Sequence, residues 1–500
     1  MSYPRFHEPN HYRPSGPDYQ LLPFRFTDLD GDALLVNEAG QHLVLPREVF
    51  QGLVSHRLSP DSPSYLDLKA NHFLIDSSSE VPLRLLATKY RTRKSFLSGF
   101  TGLHIFVVTL RCDHSCHYCQ VSRVSQNRAK YDMTEDTAER ALDLTFRSPS
   151  RALKVEFQGG EPLLNFDLIK FVVLGAERRA AASGREVQFV VATNLAFLDD
   201  PMLEFLRDHH VLVSTSMDGP AFIHNANRPR PGNDSHQMTV RGIARVREIV
   251  GPDRVSAIMT TSRLSLDHPE AIVDEYVRLG FDHIFLRPIS PYGFAVRTRH
   301  RTGYEVQRFL DFYRRALTHV IEINRGGQFL VEDYASILLT KILTPFPTGY
   351  VDLQSPAGAG IGVAVYDYDG DVYVSDEGRM LAQMGDKSFR LGNVHSDRYE
   401  ELFGSSHLRK LVTESVVESM PGCSECAFQS YCGCDPLENH ATQGSTVGHR
   451  PTSEFHIRNV EIIKHLIRLY HGPDVFAPKL FWSWVQGRPL QDILPELPAH

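Results

Sequence analysis

Residues 102 to about 327 alternate short runs of consecutive apolar residues with longer stretches whose apolar positions recur at helical spacing. The strand candidates are HIFVVTL (104–110), KVEFQG (154–159), VQFVVATN (187–194), VLVSTSMDG (211–219), VSAIMTT (255–261) and HIFLRPI (283–289). Continuous apolar strands between amphipathic helices predict a parallel sheet covered by helices, either doubly wound or a barrel. Six such repeats suit an α/β fold built as a partial (β/α)6 TIM-like barrel, short of the eight that close one. In either architecture ligands collect at the C-terminal strand ends. The polar residues fall there: Cys112 after the first strand, residues 159–162 after the second, Asn194 after the third, and Ser216 with Asp218 after the fourth.

Before this region, LLVNEAGQHLVL (34–45) places two apolar runs around an Asn-Glu-Ala-Gly turn, a hairpin signal, and Pro46 opens a helical pattern through Arg47, Phe50, Leu53 and Val54. Residues 1–85 therefore read as a small α+β, winged-helix-like unit or as a capping extension of the main domain. Beyond it, SPAGAGIGVAVYDYDGDVYVSDEG (355–378) predicts a β-hairpin at its Asp-Gly turn, and a helix is expected around residues 459–470. The expected division is 1–85, a core at 100–327, a cysteine-bearing domain at 345–470 and a tail at 471–500.

With 42% hydrophobic and 23% charged residues the chain has the composition of a folded protein, and 500 residues fit about three domains. The 53 basic and 60 acidic residues give a net charge of -7, no global footprint for nucleic acid. The opening MSYPRFHEPNHYRPSG lacks the apolar centre of a signal peptide, and no run reaches the roughly 18 apolar residues of a membrane span. A cytoplasmic protein that neither enters a membrane nor binds nucleic acid is expected. Its 7 cysteines fall in two tight groups, which reads first as metal sites.

The first group, RCDHSCHYC, holds Cys112, Cys116 and Cys119 at the end of the first barrel-type strand. Three thiolates with no fourth cysteine nearby leave one metal position open; a zinc knuckle completed by His114 or His117 is the alternative. This spacing resembles that of the radical S-adenosylmethionine (radical SAM) superfamily, and further residues match its core. Gly159, Gly160, Glu161 and Pro162 form the GGEP sequence that the resemblance assigns to the methionyl amino group. Glycines admit close backbone approach and a carboxylate neutralises an ammonium. Tyr118 matches the position that packs near the adenine, while Asn194 and Ser216 match strand-end cofactor contacts. The resemblance implies a 4Fe-4S cluster that cleaves S-adenosylmethionine to a 5'-deoxyadenosyl radical, which abstracts hydrogen from substrate, and an electron donor such as flavodoxin or ferredoxin.

The second group, GCSECAFQSYCGCDP, contains Cys423, Cys426, Cys432 and Cys434. It resembles the SPASM iron-sulfur domain of peptide-modifying radical enzymes, the branch that includes sulfatase maturases, with departures. Ser355 and Ser375 stand where an upstream cysteine pair is expected, and Pro436 where another cysteine would follow, so one of two auxiliary clusters is lost. One auxiliary 4Fe-4S cluster is expected on Cys423, Cys426, Cys432 and a fourth ligand. Cys434 and His456 rank equally for that place, and His440 and His449 are also available; a structural zinc is the rival. By the same resemblance Asp376 is the candidate acid-base residue with Glu377 as rival, though both also read as turn residues beside Gly378. The basic runs KYRTRK (89–94) and RTRHR (297–301) read as solvated faces or as sites for phosphate or an acidic leader, and His104 as a core histidine.

Longer stretches, among them 85–123, FLRPISPYGFAVRT (285–298) and TPFPTGYVDLQSPAGAGIG (344–362), resemble the His-Xaa-Ser system radical SAM maturases, the HxsB family. That resemblance implies maturation of a ribosomally made precursor peptide with His-Xaa-Ser repeats, a second radical enzyme, HxsC, as partner, and an N-terminal unit that binds the leader as an added strand. The rival functions are a radical enzyme acting on RNA and an inactive, cluster-bearing partner subunit.

Overall fold

The computed structural model describes residues 18–119 and 127–493; residues 1–17 and 120–126 of the sequence stretches above lie outside, as does the end of the expected tail. Five short strands open the chain: β1 (Tyr19–Leu21), β2 (Phe24–Leu29), β3 (Asp32–Asn37), β4 (His42–Leu45) and β5 (Leu74–Asp76). β2, β3 and β4 form an antiparallel meander, and β1 pairs with β5. The predicted Asn-Glu-Ala-Gly turn joins β3 to β4, its geometry fixed by Asn37, whose Oδ1 accepts from the amides of Ala39 and Gln41. Helices Arg47–Val54 and Pro63–Ala70 close a small core of their own around Leu35, Leu53, Tyr65 and Phe73, and helix Val81–Arg93 packs Leu86 against Leu22 and Ala39.

The central sheet begins with β6 (Leu103–Thr109), β7 (Ala152–Gly159), β8 (Glu186–Thr193), β9 (Leu212–Ser216) and β10 (Val255–Ile258), five of the six predicted strands. Each is followed by helix, and the neighbours are all parallel. Residues 105–110 are all buried, as helix-covered parallel strands require. The covering helices show why they pack: Glu135–Thr145, capped by Thr134, buries Ala138, Ala141, Leu142 and Thr145 at spacings of three and four. His104, inside β6, bonds Tyr366 and the Thr101 carbonyl and is a core histidine.

The sixth predicted strand shrinks to β11 (His283–Ile284), which pairs in parallel with β12 (Val331–Glu332) outside the central sheet. The cause is a side chain competing with a ladder: Glu332 accepts from the backbone amides of Leu286, Tyr334 and Ala335 and from the Tyr313 hydroxyl. A sixth parallel neighbour comes from the glycine-rich segment instead. There β13 (Val363–Tyr366) pairs with β6, β14 (Asp371–Tyr373) completes the predicted Asp-Gly hairpin, and β15 (Arg390–Asn393) extends the sheet. The result is an eight-stranded mixed sheet in the order β10-β9-β8-β7-β6-β13-β14-β15. The expected terminal tail contains a packed helix, Phe476–Gln486, that buries Leu480, Phe481 and Trp484 against the helix Asp333–Leu343. No helix among the described residues is long and apolar enough to cross a membrane.

One residue of the basic run 89–94 is buried. Arg93 donates twice to the Ala39 carbonyl (3.0 and 2.7 Å) and to the carbonyls of Ser430, Lys341 and Thr344. It ties the N-terminal unit to two distant parts of the chain. Arg93→Met leaves those carbonyls without their donor, and unsatisfied buried acceptors cost about 1–3 kcal/mol each. We expect a loss of about 3 kcal/mol in urea unfolding; a change below 1 kcal/mol would show that water replaces the guanidinium.

Candidate functional site

β6 ends in a loop whose root is fixed by charge and by a lack of side chains. Asp132 accepts from Thr109 (2.6 Å) and from both arms of the Arg111 guanidinium (2.6 and 2.7 Å). The end of β7 lies so close that a Cβ on Gly159 would stand 2.0 Å from the Thr109 carbonyl oxygen, and one on Gly160 2.2 Å from that of Arg111. Those carbonyls accept from the amides of Gly160 (2.8 Å) and Glu161 (2.7 Å). The two glycines thus serve an approach of backbone to backbone, where the sequence suggested an approach to a ligand.

Glu161 is fully buried, and its carboxylate accepts from the Leu163 amide, the Thr193 hydroxyl and the Asn194 amide. Burial raises its pKa to about 7 despite these bonds. In this structure the side chain braces the ends of β7 and β8. Asn194 reaches from there to Asp113 (2.7 Å) and the His114 ring (2.9 Å). Ser216 ends β9, half-buried beside Ile258 of β10.

Cys112, Cys116 and Cys119 sit half-buried on this loop. Its backbone is held from outside: Ser115 and His117 donate to the carbonyls of Pro229 and Asn227, and Phe294 donates to that of Cys119. Tyr118 is buried, donates to Asp218 and lies under the Arg228 guanidinium, which Asp218 also binds at 3.0 Å. Burial and neighbouring thiols push Cys112 up and Cys116 up to about 12. Cys112 and Cys116, so reluctant to ionise alone, suit a cationic centre that their thiolates neutralise. The His114 ring is engaged by Asp113 (2.8 Å) and Ser235 (2.9 Å), which argues against its closing a zinc knuckle.

The second cysteine group divides. Cys423, Cys426, Cys432 and His456 line one small cavity. Two buried donors in the same lining, Gln429 Nε2 and Arg450 Nε, have no partner among the described residues. Thiolates and sulfide are the acceptors such a wall fits. A single zinc ion would draw sulfur ligands to about 3.8 Å of one another, at Zn–S distances of about 2.3 Å. Among the described residues no three of these ligand atoms come within 4.8 Å; the one such group is Cys112, Asp113 and His114. Cys434 is fully buried off this cavity, its sulfur facing Asn439 and Arg450. His440 is bound to Asp386 at 2.7 Å, and His449 to Thr452. Ser355 binds Glu418, the partner of Lys94, and Ser375 caps the helix Asp376–Gln383.

That helix separates the two acid-base candidates, which are therefore helical and not turn residues. Asp376 binds Arg379 Nε at 2.9 Å, whereas Glu377 lines a second cavity of about 60 Å3. Burial and the nearby Asp352 and Asp376 raise Glu377 to about 7. Sequence reasoning missed this cavity's other polar residues: Arg287, Tyr292, Asp352, Asp435, Glu438 and Arg458. The signal was that 287, 292 and 352 fall inside stretches noticed as distinctive and 435 inside the second cysteine group.

Residues 106–276 match the Radical SAM superfamily. An uncharacterized protein of Methanocaldococcus jannaschii is 28% identical over 188 residues, 37% of this chain and 62% of that one. A cysteine-type anaerobic sulfatase-maturating enzyme of Clostridium perfringens is 23% identical over 330 residues, 65% of this chain and 85% of that one. Among solved structures, native anSMEcpe with bound AdoMet superposes with a TM-score of 0.61 at 17% identity, covering 77% of this chain and all of that one. Streptococcus suis SuiB bound to its precursor peptide SuiA gives 0.51 at 13% identity, covering 87% and 99%. These structural likenesses show the fold: an α/β radical SAM core carrying a cysteine-rich C-terminal part.

Proposed function

From a radical SAM superfamily chain related to anaerobic sulfatase maturases and SuiB-like peptide-modifying enzymes, we propose a peptide maturase that modifies a ribosomally made precursor with His-Xaa-Ser repeats. The observation that carries the reading is a cavity whose lining neighbours both cysteine groups. The cavity holding Glu377 is also lined by Tyr292, two residues before the Phe294 amide bound to Cys119, and by Phe455, next to His456. A substrate there lies between both cysteine sites. Cys112, Cys116 and Cys119 hold the first cluster, which with S-adenosylmethionine supplies hydrogen-atom abstraction. Tyr118, Gly159, Gly160, Asn194 and Ser216 form the strand-end face that receives S-adenosylmethionine. HxsC and a flavodoxin or ferredoxin are the proposed partners, and residues 18–93 the leader-binding unit.

The test is anaerobic reconstitution followed by mass spectrometry for 5'-deoxyadenosine with dithionite and S-adenosylmethionine. Wild type forms it and Cys116→Ala does not; cleavage retained in that variant, or absent from wild type, would refute the assignment.

Glu377 rather than Asp376 is the proposed acid-base residue, because it faces the cavity while Asp376 is held by Arg379. A base must be deprotonated, and the Glu377 carboxyl titrates near pH 7, so peptide turnover should rise with pH through about 7 and level above it. Glu377→Gln should remove that limb and lower turnover by about 10²–10³-fold while sparing uncoupled cofactor cleavage. An unchanged profile would return the role to Asp376.

For the auxiliary site we assign Cys423, Cys426, Cys432 and His456 to one 4Fe-4S cluster. His456→Ala should lower retained iron by up to about four per chain, whereas Cys434→Ala should leave it unchanged. The reverse pattern would make Cys434 the ligand.

A further inference from the structure

The 60 Å3 cavity between the two cysteine groups has an unbalanced lining. Four carboxylates, Asp352, Glu377, Asp435 and Glu438, face two guanidiniums, Arg287 and Arg458. Arg458 meets Glu438 at 3.8 Å, and the charge of Arg287 acts on Asp352. Glu377 and Asp435 have no such cation, although Asp435 Oδ1 accepts from the amides of Leu437 and Glu438 at the start of a helix.

Two independent features point to a ligand. Tyr292 lines the cavity, is only 2% exposed, and its hydroxyl has no hydrogen-bond partner among the described residues. A buried hydroxyl without a partner costs free energy unless something fills the space beside it. The lining is also aromatic: Phe285 stacks on Tyr334 with centroids 5.9 Å apart, and Tyr350 meets Tyr334 edge-on at 6.1 Å. Ring faces beside excess carboxylates attract organic cations.

A metal ion fits less well. No three of these carboxylates bring an oxygen each within 4.8 Å of one another, so they surround the space rather than converge on a point. An ion would also meet two guanidiniums. A flat or elongated cation, with donors pointing in several directions, satisfies spread acceptors and aromatic walls together.

Resting on the peptide-modifying reading above, we propose that this cavity is the specificity pocket for one basic side chain of the substrate peptide, an amine, guanidinium or imidazole. The Tyr292 hydroxyl and the Glu377 and Asp435 carboxylates take its N–H groups. Bound there, the side chain sits between the two cysteine groups and fixes which neighbouring residue faces the chemistry.

The pocket is tested by isothermal titration calorimetry on the reconstituted full chain with S-adenosylmethionine at low salt. The probes are nine-residue Gly-Ser peptides carrying one central Lys, Arg, His, Leu or Glu. At least one basic peptide should bind tenfold or more tighter than the Leu peptide, and the Glu peptide no tighter than Leu. In Glu377→Gln/Asp435→Asn the preference should fall within twofold; asparagine keeps the helix cap, and circular dichroism checks the fold. Equal binding by Leu or Glu, no measurable binding by any basic peptide, or a preference unmoved in the folded double variant would overturn the proposal. Because binding needs no turnover, a basic preference without 5'-deoxyadenosine would sink the radical reading alone, and 5'-deoxyadenosine without the preference would sink the pocket alone.

Discussion

Everything at the first cysteine site depends on two strands meeting backbone to backbone. Thr109 and Arg111 present carbonyls that the amides of Gly160 and Glu161 reach only because residues 159 and 160 have no Cβ. That contact fixes where β6 stops and the cysteine loop starts. It also delivers Glu161 into the core, where one carboxylate organises the ends of β7 and β8 and positions Asn194 against Asp113. The run of four residues read as a ligand cradle is also a joint in the scaffold.

The second site is built differently, by long-range clasping. The loop between Cys423 and Cys432 is gripped by the N-terminal unit: Arg25 donates to the Ser424 carbonyl, Tyr431 to that of Gly40, and the Ser430 hydroxyl to that of Asn37. Arg25 also lowers the pKa of Cys426 through its charge, opposing the burial that raises it. The part of the chain read from sequence as a separate recognition unit therefore shares a polar interface with the auxiliary cysteines.

What was legible in the sequence was local. Apolar runs revealed β6 to β10 because parallel strands covered on both faces have no polar positions to blur the pattern. Spacing revealed both cysteine groups. β11 misled because its ladder is cut short by Glu332, almost fifty residues away, and β13 because a glycine-rich hairpin gives no sign that its first strand will join β6 in parallel. His456 and Cys434 were indistinguishable by spacing, since only the fold decides which side chain lines the cavity with the three cysteines. Arg93 was hidden in a run of surface-like charges. The carboxylates at 352, at 377 and at 435 and 438 come from three separate segments and form no motif until they line one space.

On the proposed reading one chain holds two unlike iron-sulfur sites, one with an open coordination position and one closed by protein. Electron paramagnetic resonance on the dithionite-reduced, reconstituted chain tests it most directly. Two components are predicted, of which S-adenosylmethionine perturbs one and leaves the other unchanged. A single component indifferent to S-adenosylmethionine would contradict it.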